Sequence, residues 1–249
     1  MLVGICKLCE EEKKLIKTSH IISDFLHANL YDEKHKLRAF DSKDLKSDNP
    51  QISKPSSGSY EGGILCNKCD NEIIGVYETY ISRVLKNNLK EKINCENNTN
   101  DEGLNFINVS NLDYKKTKLF LLSLLFRSHI SSRVEYKEVN LGPYADKIRK
   151  QILENNPSKE NDIEIVIFKF GDKTGFSNFI GQPRKHKIGH TTAYSIVING
   201  HLILFHLKEN SMSKKTMNQR LSEKGTISLI EIPEKNVVRF IMNYTGALN

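Results

Sequence analysis

Apolar residues recur at helical spacing in three stretches of the chain and at alternating spacing in its last third. In "NEIIGVYETYISRVLKNNL", Ile74, Tyr77, Ile81, Val84 and Leu85 fall on one stripe, which predicts an amphipathic helix. The stretch "LDYKKTKLFLLSLLFRSHISS" holds the nearly unbroken run "LFLLSLLF" and predicts one deeply buried helix, with Asn111 or Asp113 as its N-cap. A third helix follows in "GPYADKIRKQILENN", where Pro143 suits the first turn and Ile148, Ile152 and Leu153 share a stripe. From about residue 160 the period falls to two. "DIEIVIFKF" alternates like a half-buried strand, and "AYSIVINGHLILFHL" sets Asn199-Gly200 between two apolar runs, a strong hairpin signal. "GTISLIEIP" and "NVVRFIMNY" predict two further strands. Two segments lack periodicity. Residues 41–63 are rich in Ser, Asp, Lys, Pro and Gly and predict a long loop; residues 93–111 are Asn-rich and predict a loop with one short strand at "LNFINV".

These elements predict an α+β fold in three parts: a loop-rich N-terminal module over 1–90, a helical region over 91–160 and an antiparallel β domain over 161–249. The chain has 249 residues, 38% hydrophobic and 27% charged, which suits a folded domain rather than a disordered one. A formal net charge of +7 favours an anionic partner such as nucleic acid, although a lysine-rich solvated surface accounts for it equally well. No basic leader with an apolar core opens the chain, and no apolar run approaches membrane-spanning length. The expectation is a cytoplasmic protein with no membrane partner.

Reducing conditions then give the five cysteines a particular meaning. Cys6 and Cys9 form one Cys-x-x-Cys pair, Cys66 and Cys69 another, and Cys95 is an incidental thiol in a polar loop. Two such knuckles complete a tetrahedral four-thiolate shell for Zn2+ with no open position, which makes the metal structural rather than catalytic. Chance pairing of core cysteines is the competing reading, and the repeated spacing weighs against it. His20, in "KTSHIISDFL", is then free for another role; alone it reads as an ordinary histidine at the start of a core segment.

A Cys-x-x-Cys, a histidine at a strand end in "SHI" and a second knuckle, "ILCNKC", opening a helix resemble a zinc-knuckle HNH endonuclease over residues 5 to about 80. The segments "SHII…F", "LFRSHISSR" and "LGPYADKIRKQIL" resemble, to about residue 155, a set of bacterial HNH-type proteins linked to phage defence. The resemblance implies a ββα-metal unit at the N-terminus and metal-dependent hydrolysis of phosphodiesters, in DNA more than in RNA. It implies His20 as the general base, Glu61 as the residue that orients it, and Asp70, directly after the last cysteine, as a ligand of Mg2+ or Mn2+. Glu78, two turns along the helix, would be a second carboxylate on that ion, and Asp24 a further candidate. A divalent ion there would stabilise charge on the phosphate and leaving oxygen while the base activates water. The set reads His-Glu-Asp where the family has His-Asn-His, and Ser19 stands where a metal ligand is common. Those departures favour an alternative, a zinc module without catalysis that binds nucleic acid or senses a phage protein. A weaker third reading is a toxin-like interaction protein whose activity lies in the C-terminal sheet. A partner protein or a homo-oligomer is compatible with each.

Two basic stretches lie outside this module. "QPRKHKIGHTT" concentrates Arg184, Lys185, His186, Lys187 and His190 in a predicted loop, able to grip phosphates or simply to face solvent. "KENSMSKKTMNQR" is a second surface loop. Arg127, His129 and Arg133 end the buried helix, where basic residues complement the helix dipole.

Overall fold

The computed structural model describes residues 2–39, 51–87, 89, 92–101, 103–171, 176–188, 191–208, 219–233 and 236–237. The protein is α+β, with a seven-stranded sheet built mostly from its C-terminal half. Two very short hairpins open the chain. Strands β1 (Val3–Ile5) and β2 (Glu12–Lys14) pair antiparallel, Val3 opposite Lys14. Strands β3 (Ser19–His20) and β4 (Tyr60–Glu61) pair His20 with Tyr60 and Ser19 with Glu61. A 3-10 turn, Asp24–Leu30, follows β3. After β4 a π-helical stretch, Lys68–Ile74, runs directly into α1 (Gly75–Leu85).

The buried central helix is α2 (Tyr114–Ile130), buried at every position from Thr117 to Ser128. Asp113 is its N-cap, accepting from the Lys116 N–H at 2.9 Å. Helix α3 (Tyr144–Leu153) follows Pro143 and turns Ile148 and Ile152 into the core.

The sheet order is β5 (Asn94–Thr99), β6 (Asn105–Ser110), β11 (Ile227–Ile232), β7 (Glu164–Phe170), β10 (His201–His206), β9 (Thr191–Ile198), β8 (Arg184–Ile188). Alternation sorts its side chains as a two-sided sheet requires. Ile165, Tyr194, Ile196, Ile203 and Phe205 join the helices in the main core, while Phe170, Val197 and Leu202 form a second cluster on the far face. The main cluster runs unbroken from Cys6 and Leu8 through α2 to Ile227.

The Asn199-Gly200 signal is met: both residues have positive φ, 46° and 77°, in the β9–β10 turn. Three expectations are corrected. Residues 93–111 form a hairpin, β5–β6, that extends the C-terminal sheet. All six residues of β5 are exposed, so no burial pattern marks it as a strand. The sheet is also not wholly antiparallel, because β11 lies parallel to β7, with Ile230 opposite Phe168. Arg184–Ile188, expected as a loop, is the edge strand β8. Most of "NVVRFIMNY" and "KENSMSKKTMNQR", and His190, lie outside the described residues. Among the described residues no helix is long and apolar enough to cross a membrane.

Gly225 joins the sheet to α2. It has φ of 71°, its carbonyl accepts from the Leu112 N–H at 3.0 Å, and a Cβ there would stand 2.0 Å from the Leu112 carbonyl oxygen. Gly225→Ala should therefore cost about 1–3 kcal/mol in urea unfolding, through strain and loss of that close approach; unchanged stability would show that the segment relaxes freely.

Candidate functional site

The tight turn between β1 and β2 carries Cys6 and Cys9, and the entry to the π-helical stretch carries Cys66 and Cys69. An isolated bridge between Leu15 and Cys66, and a hydrogen bond from the Lys7 N–H to the Ile64 carbonyl at 2.9 Å, draw the two knuckles together. All four Sγ atoms lie within 4.8 Å of one another. Cys6, Cys66 and Cys69 are buried and Cys9 is partly exposed. A hydrogen bond from Cys69 pulls the Cys6 thiol down to about 4; the backbone N–H groups of Cys9, Cys66 and Leu8 add to this against the opposing effect of burial. Such a cluster fits a metal ion, and four thiolates at this separation suit zinc in a closed structural site. Cys95 is exposed on β5 and takes no part. Arg149, from α3, donates to the Leu8 carbonyl at 3.0 Å and meets Glu10 at 3.1 Å, which ties the first knuckle to the helical layer.

Beyond the knuckles, β3, the 3-10 turn and the helix after Cys69 enclose a second polar cluster. His20 ends β3 with its side chain 27% exposed. Its Nε2 lies 3.0 Å from the Ser57 Oγ and 3.7 Å from the Asp24 Oδ1. Both groups address the same ring nitrogen, so this is not a Ser-His-Asp relay, which requires opposite nitrogens. Ser57 is placed by a loop that lies on the His27 ring: a Cβ at Gly58 would come within 2.4 Å of it. Burial pushes the His27 imidazole below its ordinary range. At the far side of the turn, Asn199 from the β9–β10 hairpin donates to the Leu26 carbonyl at 2.8 Å, so the sheet steadies the segment that carries Asp24.

Asp70 is reached from the neighbour of His20. The Ser19 hydroxyl donates to its Oδ1 at 2.6 Å. Burial raises the Asp70 carboxyl above its ordinary range, against the opposing effects of Ser19, Arg127 and His20. Glu78 faces the same interior but is already engaged: Ser23 donates to it at 2.6 Å and the Arg127 guanidinium lies 2.8 Å away. Arg127 is 2% exposed. It also donates to the His20 carbonyl at 2.7 Å, to the Ser23 hydroxyl at 3.0 Å and to the Ser123 carbonyl at 3.4 Å. One side chain of α2 therefore fixes β3, the 3-10 turn and α1 in place.

Glu61 does not touch the imidazole. Its carboxylate accepts from the Ser131 hydroxyl at 2.6 Å, and from the Ser132 hydroxyl and N–H at 2.7 and 3.0 Å. Burial would raise it, but these donors and the Arg133 charge outweigh burial and hold it below the usual carboxylate range. Its position across from Ser19 thus serves to clamp β4 to the end of α2, and the contact expected of it falls to Ser57. The basic set on β8 does not converge: Arg184 forms an ion pair with Glu138 at 2.7 Å, while Lys185 and Lys187 alternate onto the exposed face of the edge strand. Among the described residues no group of three ligand atoms from His, Cys, Asp or Glu gathers around Asp70 and Glu78 as the four thiolates do.

Ser57, Ser131, Ser132 and Arg127 are the residues that the sequence reading missed. The serines lie in polar stretches without pattern. Arg127 carried a signal, a permanent charge directly after the apolar run Leu119–Phe126. No family model matches the chain, and neither the curated proteins nor the solved structures contain a match.

Removing the buried guanidinium leaves Glu78 without its counter-charge and the His20 carbonyl without its Arg127 donor, so Arg127→Met should cost about 2–4 kcal/mol in chemical unfolding. Glu78→Gln keeps a hydrogen-bonding group and should cost about 1 kcal/mol. The double variant should lose less than the sum of the two; strictly additive losses would show that the pair does not interact.

Proposed function

We propose that the protein is a metal-dependent HNH-type endonuclease, with a structural zinc at Cys6, Cys9, Cys66 and Cys69 and a hydrolytic site at His20 and Asp70. The observation that carries this reading is the Ser19–Asp70 hydrogen bond at 2.6 Å. It locks the strand bearing His20 to the first turn of the helix that leaves the second knuckle, so a base and a carboxylate meet beside a brace that needs neither. His20 would accept a proton from water as the water oxygen attacks phosphorus and the P–O bond to the leaving oxygen breaks. Ser57 and Asp24 hold the Nε2 side of the ring and leave Nδ1 for that proton. Mg2+ or Mn2+, bound at Asp70, would supply charge for the phosphate and the leaving oxygen. Such ions are commonly held by one or two carboxylates with substrate phosphate and water, so a preformed cage is not required. Glu78, engaged by Arg127, contributes as a brace rather than as a ligand. DNA is the substrate that the family resemblance favours, in the setting of phage defence.

One observation favours a second reading. The cation beside Glu78 is a fixed guanidinium, and Asp70 is already satisfied by Ser19. A module in that state would hold nucleic acid, or sense a phage protein, without cutting.

Purified protein incubated with plasmid DNA and with RNA, in Mg2+ and in Mn2+, separates the two. The nuclease reading expects metal-dependent cleavage that falls at least about 100-fold in His20→Ala, with zinc content equal in both proteins. Identical behaviour of the two proteins, each still holding its zinc, would favour the non-catalytic module.

A further inference from the structure

Tyr60 is a large aromatic residue, 45% exposed, beside the histidine of the candidate site. It stands opposite His20 in the β3–β4 ladder, so both side chains leave the same face. The two rings meet edge-on, with centroids 6.1 Å apart and planes inclined by 67°. An edge-on contact does not cover both faces of the tyrosine ring. Nor does its hydroxyl have a hydrogen-bond partner among the described residues.

The backbone beneath that ring is held firmly. Arg133 donates to the Tyr60 carbonyl at 3.3 Å, Glu61 is clamped by Ser131 and Ser132, and Ser59 donates to Glu135 at 3.3 Å. Glu135 in turn pairs with Arg133 at 2.5 Å. The strand that carries the exposed ring is therefore held in place rather than lying at a loose loop tip. The Arg133 guanidinium lies at its rim, 43% exposed and in an ion pair with Glu135, and the chain as a whole carries +7. An aromatic face beside a guanidinium suits a ligand with a flat ring and a phosphate, repeated along a polyanion.

We infer that Tyr60 is a stacking platform for an unpaired nucleobase, and that this site takes single-stranded nucleic acid in preference to duplex. In a duplex every base already stacks on both faces, and only an unpaired base can lie on the tyrosine. Stacking is indifferent to base identity, so the platform selects strand state rather than sequence. With the base on Tyr60, the adjoining phosphate falls beside His20, and in that respect the inference rests on the hydrolytic reading of the same pocket.

Binding can be measured apart from cleavage. In full-length His20→Ala protein without added divalent ion, fluorescence anisotropy of labelled oligonucleotides should show single strands bound about tenfold or more tighter than the matching duplex. Adding Tyr60→Leu should weaken single-strand binding about tenfold and leave duplex binding unchanged, while Tyr60→Phe restores it. DNA and RNA oligonucleotides run side by side identify which strand is held. Zinc content and circular dichroism of the Tyr60→Leu protein verify its fold. Equal single-strand binding with and without the aromatic ring, or a preference for duplex, would overturn the inference. Tyr60-dependent binding with no cleavage in any metal would end the nuclease reading and leave this one standing. Metal-dependent cleavage of duplex, indifferent to Tyr60, would do the reverse.

Discussion

The N-terminal half of this protein hangs on two cysteine pairs sixty residues apart in sequence and in contact in space. The strands there are three and two residues long, well below the length at which a hairpin holds itself together in water. Residues 21–59 separate β3 from β4, so the two strands are distant in sequence. A metal ion held by these four cysteines would change that balance, since structural zinc in small modules supplies on the order of 10–16 kcal/mol of apparent binding energy at neutral pH. With the knuckles joined, the β3–β4 ladder and the helix after Cys69 have fixed places, and Ser19 can reach Asp70.

Arg127 does for the site what the cysteines do for the module. Its guanidinium is fully enclosed and offers its donors to His20, Ser23, Ser123 and Glu78. A buried charge without partners is strongly unfavourable, so the arrangement admits few alternatives. The same interaction engages Glu78, whereas the Asp70 carboxylate is met by the Ser19 hydroxyl. The Asn199–Leu26 contact adds the sheet to this framework, because the hairpin tip rests on the turn that carries Asp24. Sheet, helices and knuckles thus converge on one small polar cluster, which matches the single main core running through all three regions.

Much of the fold was legible where apolar residues repeat. The three helices, the Asn199-Gly200 hairpin and β7 follow from period alone, and the cysteine spacing announced its cluster. What escaped was structure without an apolar period. Strand β5 is exposed at every position, and β11 enters beside β7 from a distant part of the chain, which no local pattern encodes. The site divides in the same way. His20 and Asp70 are candidates from their place relative to the knuckles, and the structure joins Ser19, beside His20, to Asp70. Glu61, expected beside the imidazole, bonds to Ser131 and Ser132, while Ser57 lies at His20, because motif spacing fixes where a residue sits but not where its side chain finds donors. Arg127 was read as a helix-end charge complementing the dipole, whereas burial and four hydrogen-bonding partners determine its role.

A metal ion held by all four thiolates would need no histidine ligand. Zinc K-edge X-ray absorption on the purified protein tests this directly. One zinc per chain with four sulfur neighbours at about 2.3 Å is the expected result. A nitrogen neighbour at about 2.0 Å, or protein that folds fully without zinc, would contradict it.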